Sequence, residues 1–108
     1  MCANLIVTAK YPPDKAMEMV KIFVKVYKTL PKVLKPIGEC PFIGPTETGY
    51  MSVDIYEIDD AKLGEAVKEL ATYMNNYAFA IPGYQWKVEV VVKAREALAL
   101  VGVQAPTK

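Results

Sequence analysis

The apolar residues change period several times along the chain, and each change marks an element. Asn4–Lys10 is short and β-branched, the composition of a strand. Side chains alternate across a strand, so Leu5, Val7 and Ala9 point one way and Asn4, Ile6, Thr8 and Lys10 the other. Tyr11-Pro12-Pro13-Asp14 ends it. The spacing then predicts a helix from about Pro13 to Leu30, before Pro31, with a narrow polar stripe of Asp14, Glu18, Lys21, Lys25, Lys28 and Lys32. A helix that only covers a sheet needs an apolar stripe of roughly 100°. This one is apolar over more than that, which predicts a sheet under one flank and another helix or subunit under the other.

Ile37–Ile43 reads as a second strand, interrupted by Gly38 and Pro41. Residues 44–49 are turn-forming. Tyr50–Ile58 alternates: Met51, Val53 and Ile55 are expected to face the helices, and Tyr50, Ser52, Asp54 and Tyr56 the opposite side. Asp59 or Asp60 caps a second helix, which Pro82-Gly83 ends. Tyr84–Val92 is the last strand, with Trp86, Val88 and Val90 facing the helices. A short helix over about Lys93–Leu100 stops at Gly102, and residues 104–108 form a tail.

The order β-α-β-β-α-β with a terminal helix predicts an α+β protein of the ferredoxin-like kind, a single domain over residues 1–103. Such a chain forms a four-stranded antiparallel sheet with both main helices on one face. The bare face is expected to carry Ile6, Thr8, Lys10, Ser52, Asp54, Tyr56, Lys87, Glu89 and Val91, a mixed surface of the kind that meets a partner or ligand.

Composition sharpens this picture. Hydrophobic residues make up 53% of 108, and a domain of that length buries roughly two-thirds of its unfolded surface, so the surplus points to self-assembly. Thirteen basic against twelve acidic residues leave a charge of +1, and Arg95 is the sole arginine, so nucleic acid is not an expected partner. Histidine is absent, which excludes histidine-dependent triads, histidine-ligated haem and the usual zinc sites. Cys2 and Cys40 read as reduced thiols, and the five methionines as core residues without metal-ligand spacing. No stretch reaches the ~18 apolar residues of a membrane span, and no secretory signal is visible, so a cytoplasmic protein without membrane contact, metal or cofactor is expected.

The element order, the bare sheet face and the apolar terminal helix resemble the dimeric α+β-barrel superfamily. Lys10-Tyr11-Pro12-Pro13, Gly49-Tyr50 and Glu96-Ala97-Leu98-Ala99-Leu100-Val101-Gly102 are similar to segments of small prokaryotic proteins of unassigned function. The resemblance implies a homodimer through the sheet face, with the terminal helix docked on the neighbour, and leaves room for a higher oligomer. The superfamily includes monooxygenases, haem-degrading enzymes, lactone isomerases and sensing modules of regulators. The missing histidine speaks against the haem branch, and the chain has no room for a helix-turn-helix.

Two functions follow. In the first, a pocket between helices and sheet, or inside the barrel, binds or transforms a small aromatic or carbonyl compound. Asp54 and Glu89 are the candidate general bases, Tyr56 orients the substrate, and Thr8, Lys10, Tyr11 and Glu39 are further ligand-binding candidates. In the second, the chain is a non-catalytic scaffold, and Lys10 and Lys87 neutralise Asp54 and Glu89 across the interface. A solvent-reachable cavity holding Asp54, Tyr56 or Glu89 without an ion-pair partner favours the first.

Overall fold

Strand β1 (Cys2–Tyr11) runs through the middle of the sheet in the computed structural model, which describes residues 2–38 and 41–104. Pro12 and Pro13 suit a tight first turn, so a turn of 3₁₀ helix over Pro13–Lys15 leads into α1 (Ala16–Val26). A second 3₁₀ turn, Tyr27–Thr29, tightens its exit, where the Thr29 hydroxyl donates to the Val26 carbonyl at 2.7 Å. The helix expected over Pro13–Leu30 is thus present, narrowed at both ends.

In place of the expected Ile37–Ile43 strand the chain forms β2 (Lys35–Pro36), which precedes it, and β3 (Phe42–Thr46), which runs on into the expected turn and shortens that turn to Glu47-Thr48, with Gly38 and Pro41 between the two strands. Next come β4 (Gly49–Asp59), α2 (Leu63–Ala78), β5 (Gln85–Val91) and α3 (Ala94–Leu100). The sheet order is β2-β4-β1-β5, with β3 also on β4, and every pairing is antiparallel. β2 and β3 share the place of one edge strand, so five strands build the four-stranded ferredoxin-like sheet. Leu5, Val7 and Ala9 of β1 meet Met19 and Val26 of α1 and Ala66, Leu70 and Met74 of α2 in the core.

Residues directly opposite in an antiparallel pair share a face. Leu5 pairs with Tyr56, Val7 with Asp54, Ala9 with Ser52 and Tyr11 with Tyr50. The helix-facing set of β4 is therefore Tyr50, Ser52, Asp54, Tyr56 and Ile58, and Met51, Val53 and Ile55 lie on the bare face. This reverses the expected orientation of that strand. The reason is packing: the Tyr56 ring and Ile58 are buried in the core, at 5% and 0% exposure, and a one-residue slip would have expelled both. β5 lies as expected, with Trp86 opposite Ala9 and Val88 opposite Val7. The bare face is consequently more apolar than expected, combining Ile6, Phe42, Met51, Val53 and Ile55 with Thr8, Lys10, Lys87 and Glu89.

Asp59 caps the turn before α2 by accepting from the Ala61 N–H at 3.2 Å. At the far end, Gly102 (φ 78) closes α3 with the paired bonds Val103 N–H to Leu98 C=O, 2.9 Å, and Gly102 N–H to Ala99 C=O, 3.1 Å. Pro12, just past β1, is seated on two glycines. A Cβ on Gly49 would run into the Tyr11 carbonyl, and one on Gly83 would lie 2.9 Å from Pro12 Cγ.

No helix of the chain covers the outer flank of α1, where another helix or a subunit was expected: Met17, Val20 and Val24 are exposed, Met17 and Val24 by more than 60%. α3 buries none of its residues, and Leu100 is 75% exposed. Among the described residues, no helix is long and apolar enough to cross a membrane, and no cluster of histidine, cysteine or acidic groups could hold a metal. Cys2 is a free thiol, while Cys40 lies outside the described residues.

Candidate functional site

The reversed register of β4 puts Asp54 under the helices. There it lines a cavity of about 200 Å³ with Phe23 and Leu30 of the α1 region, Tyr27, Pro36, Pro41, Tyr56, and Tyr73 and Tyr77 of α2. Phe23 and Tyr27 are four residues apart, as are Tyr73 and Tyr77, so each helical segment turns two rings to the same side. The first pair stacks at 5.6 Å between centroids, and the second meets edge-on at 6.0 Å.

Asp54 is the single charged side chain among the described residues lining this cavity. Burial raises its carboxyl from the ordinary value to about 6, and a hydrogen bond from the Tyr56 side chain pulls partly against that. No lysine or arginine among the described residues forms an ion pair with it. The surrounding phenols are also pushed up, chiefly by burial. Tyr77 and Tyr84 move furthest, both with Asp54's charge adding to the rise, and Tyr73 moves the same way.

Behind the cavity the rings continue as a ladder. Tyr77 stacks on Tyr84 at 5.6 Å, Tyr84 on Tyr11 at 6.3 Å and Tyr11 on Tyr50 at 5.9 Å. With Tyr73, five tyrosines run from the cavity to the β3–β4 end of the sheet. Offset stacks at such separations add packing energy beyond area burial and fix the rings against one another.

The structure divides the sequence-predicted residues between two faces. Asp54 and Tyr56 share the cavity, and Tyr11 belongs to the ladder behind it. Thr8, Lys10 and Glu89 lie on the bare face. Lys87 pairs with Glu89 at 3.5 Å along the same strand, both well exposed, so the expected neutralisation of Asp54 by Lys10 or Lys87 is prevented by the sheet between them. Glu39 lies outside the described residues. Phe23, Tyr27, Tyr73 and Tyr77 were not sequence candidates. Their signal was the repeated four-residue spacing of aromatics on two helices that cover the same sheet.

No family model matches the chain, and no curated protein is similar to it. Among solved structures, the chain is similar to a Caulobacter crescentus CB15 protein proposed to be an antibiotic biosynthesis monooxygenase. The identity is 20%, the TM-score is 0.43, and the match covers 85% of this chain and 91% of that one.

Proposed function

We propose that this chain is a cytoplasmic protein that binds and transforms a small aromatic or carbonyl compound in the Asp54 cavity, without metal or haem. The observation that supports this is a solvent-reachable, ring-lined cavity whose one carboxylate has no cationic partner among the described residues. A general base works best when its pKa is near the operating pH, and burial has moved Asp54 in that direction. Tyr56 holds the carboxylate in place. The rings supply a flat apolar seat. Native mass spectrometry against a panel of small aromatic and carbonyl compounds should find one retained by the wild type, with turnover lost in Asp54→Asn. Unchanged turnover in that variant would remove Asp54 from the role.

A second observation favours self-assembly. Ile6, Phe42, Met51, Val53 and Ile55 share the bare face, which suits burial against a second copy. That face and the cavity lie on opposite sides of the sheet, so a homodimer and an open pocket are compatible. Light scattering should give a dimer or larger oligomer for the wild type and a folded monomer for Val53→Lys, which puts a charge into the middle of the apolar patch. A monomeric wild type rules the assembly out.

A further inference from the structure

The cavity's lining selects among small ligands. Of the nine side chains around it, five are aromatic, two are prolines, one is leucine and one is the carboxylate of Asp54. Among the described residues it offers no ammonium or guanidinium to an anionic ligand. Rings present negative faces, and cations are drawn to them, more strongly as water is excluded. Tyr27 shows this attraction already, with the Lys28 ammonium 5.8 Å from its ring centroid.

We propose that the Asp54 cavity binds a small organic ammonium, with the cation against the aromatic rings and Asp54 as its counter-ion. This rests on reading the cavity as a small-molecule site, and names the class of molecule. Its volume corresponds to roughly seven waters' share of liquid, enough for a primary amine on a single ring or short chain. A neutral ligand of the same shape shields the half-buried carboxylate from water without giving it a counter-charge, the costly outcome. An ammonium supplies the missing charge.

The pH dependence follows from the groups facing Asp54. These are Tyr56 on its own strand, Tyr73 and Tyr77 from α2, and Tyr84 ahead of β5, with Tyr27 across the cavity and Lys28 on that ring. Apart from the lysine they are phenols, and burial pushes those of Tyr73, Tyr77 and Tyr84 upward, away from neutrality. Asp54 is therefore the group that changes charge between pH 5 and 7.5. Protonating it weakens the ammonium's hold.

The test is an amide chemical-shift titration of the full chain with benzylamine and with benzyl alcohol, its uncharged counterpart. The expected result is that benzylamine shifts residues around Asp54, Tyr73 and Tyr77 and binds at least ten-fold tighter than the alcohol at pH 7.5. Its affinity falls about ten-fold at pH 5, as expected for a carboxylate with a pKa of about 6. Asp54→Asn abolishes the preference, and Tyr27→Leu lowers benzylamine affinity several-fold while sparing the alcohol. Equal binding of both compounds at these residues overturns the ammonium assignment and leaves the cavity as a small-molecule site. Benzylamine shifts confined to exposed carboxylates such as Glu65 and Glu69 overturn it also. No shift in the cavity with either probe overturns both readings.

Discussion

Asp54→Asn is expected to make the folded protein more stable at pH 7.5, by about 2–3 kcal/mol, and to flatten its pH dependence. The carboxyl has a folded pKa of about 6 against an ordinary value of 3.8, so between those values the folded state holds more protons than the unfolded. The sign is therefore opposite to that of an ion-paired aspartate. Stability is lost as pH rises through this window, the full cost is present above about 6, and it vanishes below about 4. The difference between wild type and variant should shrink to roughly half at pH 5. Urea unfolding at the two pH values measures it. A variant less stable than wild type at pH 7.5 would mean that Asp54 contributes more through its bond with Tyr56 than its burial costs. A charge kept where it weakens the fold is what a binding or catalytic group looks like, and a scaffold would have little use for it.

The second large effect belongs to Gly49. Any Cβ at that position meets the carbonyl of Tyr11, a backbone atom held by the pairing of β1 with β4, and Pro12 closes the other side. Neither can yield as a flexible side chain would. Gly49→Ala is expected to cost about 3 kcal/mol, the upper part of the range for forcing an atom into a packed contact. Because the Tyr11–Tyr50 stack sits beside this residue, thermal melts should show a lower Tm and near-ultraviolet circular dichroism a weakened tyrosine signal. Gly44→Ala, with open space around it, should leave both unchanged.

The order of elements was legible in the residues, because Pro12-Pro13, Asp59, Pro82-Gly83 and Gly102 punctuate it with geometries that few alternatives satisfy. The orientation of β4 was not. Alternation tells which residues share a face, but assigning that face to the core assumes the greasier set goes inward. In Tyr50–Ile58 both sets are usable: Met51, Val53 and Ile55 form one apolar row, while Tyr56 and Ile58 form another that carries Ser52 and Asp54 with it. Core volume decided, since the Tyr56 ring and Ile58 fill space between sheet and helices that would otherwise stay empty. That Asp54 and Tyr56 share a face was readable from their spacing, two apart on one strand. Their company was not visible, because the rings of Phe23, Tyr27, Tyr73 and Tyr77 come together only once both helices are laid across the same strand.

The tyrosine ladder also sets an upper pH limit on the fold. A phenol whose ionisation is delayed by burial stays protonated in the folded chain while its unfolded counterpart releases its proton above about pH 10. Tyr11, Tyr73, Tyr77 and Tyr84 are all displaced upward, so in strong alkali all four pull toward the unfolded state together. The rings that stiffen the cavity wall near neutrality thereby make its collapse in base abrupt, with the interior phenols ionising as the sheet and helices part.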